Sequence, residues 1–159
     1  MGILEKNYYH IAPILLEPGS IIIPGNYGRI INLTGINHQL YSREMLLEYV
    51  RVKNFNHKPS RFSSCFACID LDEAKFYRSL QHPTSLIYEV KIINTSTKFH
   101  IGCYNMLPSV NCSGVPGNPE AVANKYWNGS IIKVQGHENY NCNELVVESS
   151  LKIISKIDN

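Results

Sequence analysis

The sequence has no run approaching the roughly 20 apolar residues that cross a bilayer. It also has almost no excess of charge of either sign. Its 15 Lys and Arg stand against 13 Asp and Glu, a formal charge of +2, so only local clusters of charge can point to a polyanionic partner. The motifs G-x-G-x-x-G and G-x-x-x-x-G-K-[ST] do not occur, which removes the two commonest nucleotide cradles. Cysteine is sparse: five residues, irregularly spaced. Cys65 and Cys68 form a C-x-x-C, but within an apolar run that reads as a strand, where side chains three apart point to opposite faces. With no second pair at zinc spacing, buried free thiols are expected and no metal site. Near the N-terminus the apolar stretch is broken by Pro13, Glu17 and Pro18 with no small-residue cleavage site after it, and Lys6 stands where a myristoylation signal wants Ser or Thr. Mature, cytoplasmic protein with no membrane partner is the expectation.

What is present is a globular composition, 44% apolar and 18% charged over 159 residues. That length fits one domain, residues 1–159, which buries about 70% of its unfolded surface and needs no staples.

Residues 8–11 are aromatic and branched and read as a first strand that stops before Pro13. Residues 20–23 form a short apolar run, followed by a loop with Gly25, Asn26 and Gly28 that delivers Arg29. Residues 42–52 are the clearest helix, capped by Ser42, with Met45, Leu46, Tyr49 and Val50 as its apolar stripe. A polar stretch, 54–60, ends it. Residues 62–69 read as a buried strand, and Asp70 or Asp72 caps a helix running to about Leu80. Residues 85–93 form a strand that 98–106 pairs with after a turn. A Pro/Gly/Asn loop covers 108–119, a helix with Pro in its first turn covers 119–127, and residues 131–134 form a short strand-like run. Two β-rich pieces around Glu148-Ser149-Ser150 close the chain. Strands dominate and helices group early, so the fold class is α+β with a mostly antiparallel, split sheet.

Three segments carry candidate chemistry. Tyr8-Tyr9-His10-Ile11-Ala12 places a histidine on the first strand, where it is either a satisfied core residue or a binding group. Ser63-Ser64-Cys65-Phe66-Ala67 leads into a helix carrying Ala74, Phe76 and Tyr77. Asn143-Glu144-Leu145-Val146-Val147 opens an apolar strand with a carboxylate, which is either a solvated strand start or a poised catalytic group.

Taken in order, these segments resemble the His-Tyr-Glu group of ADP-ribosyltransferases, which includes the poly-ADP-ribose polymerases and diphtheria-type toxins. The C-terminal piece is similar to the polymerases' catalytic-glutamate strand, Cys65-Phe66-Ala67 to their Tyr-Phe-Ala, and Phe76-Tyr77 falls near their second stacking aromatic. Over nearly its full length the chain resembles a small family of bacterial and phage ADP-ribosyltransferase-like proteins. Those share the Tyr9-His10 start, the Ser-Arg-x-x-Ser-x-Phe-Ala segment at 60–67, the Tyr126-Trp127 pair and the late Glu-Leu-Val. The resemblance implies an ADP-ribosyltransferase-like split sheet and a transferase with NAD as co-substrate. It further implies a toxin or anti-phage role, RNA modification in some members, and a neutralising antitoxin protein.

On that resemblance Glu144 is the catalytic carboxylate, with Glu148, about 13 Å further along an ideal strand, as second choice. Positive charge builds on the ribose as the nicotinamide bond breaks, as in glycoside hydrolysis, and a fixed carboxylate stabilises it. His10 orients ribose hydroxyls. Ile11 offers backbone groups to the nicotinamide amide, because the hydroxyl residue of the family's His-Gly-Ser/Thr is Ala12 here. Ser63, Ser64 and Cys65 line the cofactor site. Cys65 replaces the family's tyrosine, so stacking passes to Phe76 or Tyr77. Arg29 and Arg61 are candidates for the pyrophosphate, since a guanidinium fork matches phosphate oxygens; the plainer reading of each is an arginine on a solvated loop.

Arg51, Lys53, His57, Lys58 and Arg61 lie close together with Phe55 and Phe62, a mixture that suits phosphate contacts and base stacking on RNA or other single-stranded nucleic acid. A solvated helix end is the competing reading. With Trp127 these residues form the candidate acceptor surface. A protein acceptor read through residues 128–143 is the alternative. Other readings are an RNA 2′-phosphotransferase, which wants more converging basic residues, and an inactive binding or immunity module of the same fold. A cysteine hydrolase on Cys65 is the last, and that thiol would need an exposed electropositive setting.

Overall fold

The structure, a computed structural model, describes residues 2–108 and 118–158. Among the described residues it is α+β: one seven-stranded sheet and four α-helices. The strands are β1 (Asn7–Ala12), β2 (Ile21–Ile22), β3 (Cys65–Cys68), β4 (Leu86–Ile92), β5 (Phe99–Cys103), β6 (Asn143–Val147) and β7 (Leu151–Ile157), in the order β2-β7-β4-β1-β3-β6-β5. Every pairing is antiparallel.

The sheet is continuous but has a seam. β1 pairs with β4 along its whole length, from Asn7↔Lys91 to Ala12↔Leu86, whereas its ladder with β3 is the single pair Tyr9↔Cys68. One apolar cluster draws on Leu151 and Ile153 of β7 as well as Leu145 and Val147 of β6, strands well separated in the sheet order, so the sheet curls around it. Tyr8, Ala12, Cys65 and Ala67 belong to this cluster.

The helices α1 (Asn26–Thr34), α2 (Tyr41–Asn54), α3 (Leu71–Gln81) and α4 (Pro119–Trp127) supply the opposite face. α2 and α4 bury Leu47, Val50, Ala123, Tyr126 and Trp127 together with Cys103 and Met106. α3 puts Ala74 against Cys68 and Ile87. Asp70 caps α3, its Oδ1 accepting from the Glu73 amide at 2.9 Å, and Asn118 caps α4 with Pro119 in the first turn, as the side chains there dictate.

Several expectations are corrected. The stretch through Asn26 and Gly28 is helix α1, not a loop. Gly28 is needed there because a Cβ would overlap the Phe62 carbonyl where α1 meets the 61–63 turn. In α2 the buried side is Glu44, Leu47 and Val50; Met45 and Tyr49 are exposed, and Ser42 makes no cap bond. The polar Glu44 faces inward because an arginine meets it, which an apolar-stripe reading passes over. β5 pairs with β6 and not with its sequence neighbour β4. Residues 131–134 form no strand. Residues 61–63 are a 3₁₀ turn, so the third strand begins only at Cys65. Of the loop expected at 108–119, residues 109–117 lie outside the described residues.

Candidate functional site

Glu144 stands near the start of β6, paired with Cys68 of β3 on one side and Gly102 of β5 on the other. Strand alternation puts Cys68, Phe66, Val146, His100 and Gly102 on its face, the helical face. Gly102 matters because a Cβ would fall 2.6 Å from Cε2 of Tyr126 and 2.8 Å from Nε2 of His100. The missing side chain is what lets the Tyr126 ring lie against the sheet beside Glu144.

Arg61 is the hub. It is 4% exposed, and the turn that carries it is held on both sides. Ser60 donates its amide to Glu148 Oε1 at 3.0 Å and its hydroxyl to Glu48 Oε2 at 3.0 Å, while the Ser64 hydroxyl donates to the Ser60 carbonyl at 2.6 Å. The guanidinium donates from Nε and Nη2 to the two oxygens of Glu44, at 2.8 and 3.2 Å. Its Nη1 donates to the Tyr126 hydroxyl at 2.7 Å and to Oε1 of Glu144. Tyr126 in turn donates to the same Oε1 at 2.7 Å. Phe66 lies beneath the guanidinium, 4.9 Å from its ring centroid, a favourable cation–aromatic contact. Tyr27 and Arg43 close the far side by donating to Oε1 of Glu44, at 2.7 and 2.9 Å.

The electrostatics follow from burial and partners. Burial opposes ionisation of Glu44, but the Arg61 charge and hydrogen bonds, aided by Arg43 and Tyr27, outweigh it and hold the carboxyl at about 2. Burial likewise disfavours the Arg61 charge; Glu144 and Glu44 reverse that and raise its pKa well above the ordinary value. Burial keeps the Tyr126 phenol protonated, and so a donor, against the opposing pull of Arg61.

Both bonds that Glu144 accepts fall on Oε1. Among the described residues Oε2 accepts none, and the side chain keeps 16% of its surface open. One oxygen is fixed and the other presented.

His10 lies at the seam. Its Nδ1 bonds the Phe66 carbonyl at 2.7 Å, so Nδ1 carries the proton and Nε2 is left as an acceptor. Burial lowers its pKa, partly countered by that bond. The ladders place His10 on the face of Ala67 and Tyr8, and Tyr9 on the face of Cys68 and Glu144. No hydrogen bond or ion pair joins His10 to Glu144 among the described residues. Ile11 follows on Tyr9's face.

The remaining candidates scatter. Ser63 is exposed and donates to Glu148 Oε1 at 3.3 Å; Ser64 is buried. Cys65 faces the core, where burial pushes its thiol up to about 12, and it lacks the exposed electropositive setting a nucleophile needs. It is thus also a poor cofactor contact. Phe76 is stacked on Tyr140 at 4.0 Å, so one ring face is already taken. Tyr77 meets Tyr104 edge-on and lies close enough to feel Glu144: burial first and that carboxylate second raise it to about 12. Arg29 is exposed and bonded to Asn26 of its own helix. Arg61 is buried and bonded to Glu44, Tyr126 and Glu144, so it is corrected from a phosphate-binding or acceptor-binding residue to the internal partner of Glu144. Trp127 is fully buried, its indole N–H donating to the Leu47 carbonyl at 2.9 Å, and touches no acceptor. Arg51 is doubly bonded to Glu48, at 2.9 and 2.7 Å, and Lys53 reaches Glu120 at 3.3 Å. Lys58 is half-buried at the foot of the same loop. Glu148, the alternative carboxylate, takes the Ser60 amide and the Ser63 hydroxyl on Oε1, at 3.0 and 3.3 Å, and so braces the turn that carries Arg61.

Sequence reasoning missed Glu44 and Glu73, and it gave Tyr126 no role beyond the shared Tyr-Trp pair. The signal for Glu44 was a charge at a position in helical phase with Leu47. Glu73 accepts the amides of Asn141 (2.6 Å) and Cys142 (3.0 Å), anchoring the approach to β6, where Cys142 takes φ 55°. A shallow acidic cleft of about 500 Å³ lies beside it, lined by Asp70, Leu71, Asp72, Glu73, Asn139 and Tyr140.

These observations define an α+β protein with a curled antiparallel sheet and a carboxylate held on its helical face by a buried arginine and tyrosine. A family model described as protein of unknown function (DUF2441) matches residues 8–159, and the chain belongs to that family. Comparison with curated proteins finds no match.

Proposed function

We propose that the protein is an NAD-dependent ADP-ribosyltransferase in which Glu144 is the catalytic carboxylate. The observation that carries this is the half-spent state of Glu144: Oε1 held by Arg61 and Tyr126, Oε2 without a partner among the described residues. A carboxylate oxygen fixed at the mouth of a buried network suits stabilisation of a developing cation, because its geometry needs no reorganisation when charge appears. In the reaction the bond between nicotinamide and the ribose C1′ breaks, with the electron pair leaving on nicotinamide. Oε2 faces the resulting positive ribose, and the acceptor's lone pair forms the new bond while its proton passes to Glu144 or to solvent.

His10 supports the reading only weakly, because the ladders set it on the sheet face opposite Glu144. With Nδ1 committed to Phe66, its Nε2 accepts a hydrogen bond from a ribose hydroxyl rather than donating one.

For the acceptor we favour RNA or another single-stranded nucleic acid, met by Lys53, His57 and Lys58 beside Phe55, with an antitoxin as the expected protein partner. Lys98, whose Nζ donates to the Asn56 carbonyl at 3.4 Å, adds a charge to the same surface. A second reading, an inactive binding module, is favoured by one observation: both guanidiniums suggested for the pyrophosphate already have partners, buried Arg61 two carboxylates and exposed Arg29 the Asn26 side chain. Incubation with NAD labelled in the adenylate moiety, in the presence of both RNA and protein, separates the readings. Label on RNA supports the favoured acceptor, label on protein alone removes RNA, and no loss of NAD favours the binding module.

A further inference from the structure

The contacts around Glu144 are drawn from four separate parts of the chain: Arg61 from the 61–63 turn, Glu44 from α2, Tyr126 from α4 and Glu144 itself from β6. Their geometry has a direction. Glu44 takes Nε and Nη2 of Arg61 on its two oxygens, and this two-point grip fixes the plane of the guanidinium. Nη1 is then the nitrogen that faces Tyr126 and Glu144. The Tyr126 oxygen accepts from Nη1, so its own proton has to point elsewhere, and it points to Oε1 of Glu144 at 2.7 Å. A hydroxyl rotor is thus locked by the donor behind it. The ring is brought there by the absence of a side chain at Gly102, directly across the ladder from Glu144.

Glu44, fully buried, has donors on both of its oxygens, from Arg61, Arg43 and Tyr27. Glu144 receives two donors on one oxygen and leaves the other open. We propose that Tyr126 and, through Arg61, Glu44 are positioning residues that select Oε2 of Glu144 as the reacting oxygen and hold it still. This rests on the transferase reading of Glu144.

The test is a double-mutant cycle on nicotinamide release from NAD by the full chain. Tyr126→Phe removes one donor and keeps the ring. It should leave the circular dichroism spectrum and the thermal shift produced by NAD unchanged, while kcat falls about 10-fold with KM unmoved. In a Glu144→Gln background the same substitution should cost nothing further, because Tyr126 acts only through the carboxylate. A Tyr126→Phe loss equal in both backgrounds, or none in either, overturns the proposal and leaves the transferase reading standing. A wild-type chain that releases no nicotinamide, or a Glu144→Gln chain as active as wild type, overturns the transferase reading and the proposal with it. If Tyr126→Phe fails to fold, Glu44→Gln is put through the same cycle with the same outcomes.

Discussion

The imidazole of His10 donates from Nδ1 to the Phe66 carbonyl at 2.7 Å, across the seam where β1 and β3 part after the pair Tyr9↔Cys68. A side chain here takes the place of a ladder bond the diverging strands cannot make. His10→Ala should therefore do two separable things. It should lower stability by about 1–2 kcal/mol, the cost of leaving a buried carbonyl unpaired, and it should shrink the thermal shift that NAD produces. A stability loss with an unchanged NAD shift returns His10 to a purely structural role.

Acid should destabilise the protein over two successive pH ranges. His100, 2% exposed and bonded from Nε2 to the Tyr126 carbonyl, is lowered by burial from 6.5 to about 4, with Lys58 adding to the effect. Its folded pKa lies below its unfolded one, so the unfolded chain binds the extra proton first. Stability is full above 6.5 and falls as pH drops towards 4, by up to about 3 kcal/mol. Glu44, held at about 2 from an ordinary 4.5, gives the second loss between those values. Urea titrations from pH 7 to pH 4 should show the first slope in wild type and a flatter one in His100→Gln. Equal slopes would mean other groups carry it.

Two glycines are predicted to resist alanine for steric reasons alone. Gly28→Ala improves helix propensity by about 1 kcal/mol, yet its methyl would overlap the Phe62 carbonyl, and overpacking against backbone costs about 3 kcal/mol or more. A net destabilisation is expected in chemical denaturation; a gain in stability would show that α1 can move off the 61–63 turn. Gly102→Ala should push the Tyr126 ring away from Glu144 and lower turnover along with stability.

Lys53→Ala with Lys58→Ala should raise the apparent KM for RNA and flatten its salt dependence, since each phosphate neutralised by a lysine releases counterions on binding. Hydrolysis of NAD without acceptor should be unaffected. Loss of both activities would place these lysines in the fold. The pairing of Lys53 with Glu120 at 3.3 Å makes Lys58 the stronger contributor of the two.

Much of the fold was legible because local chemistry decides it. Asp70, one of the two aspartates read as a cap, caps its helix, Pro119 starts another, and the alternation of 85–93 makes β4. Glu144 was legible as a carboxylate opening an apolar strand. What was hidden depends on long-range partners. Gly25 and Gly28 read as loop because their glycine content says so, while α1 exists through its packing on the Arg61 turn. Glu44 went unremarked in the sequence, and its burial is made tolerable by Arg61, 17 residues away, together with Arg43 and Tyr27. Arg61 was placed at a surface with the basic and aromatic residues around it and Trp127 was added to the same surface, and the structure puts both inside. The pairing of β5 with β6 joins segments about 40 residues apart, and nothing local to residues 98–106 announces it.

The most direct test of Glu144 is nicotinamide release measured side by side for wild type, Glu144→Gln and Glu148→Gln, with NAD binding followed by thermal shift in each. Glu144→Gln should keep its fold and its NAD shift and lose turnover by about 10²-fold or more, as removal of a charge-stabilising group does. Glu148→Gln, which loosens the bonds to Ser60 and Ser63, should lose stability first and turnover only modestly. Wild-type turnover in Glu144→Gln, with activity abolished in a folded Glu148→Gln, would contradict the assignment of Glu144 as the catalytic carboxylate.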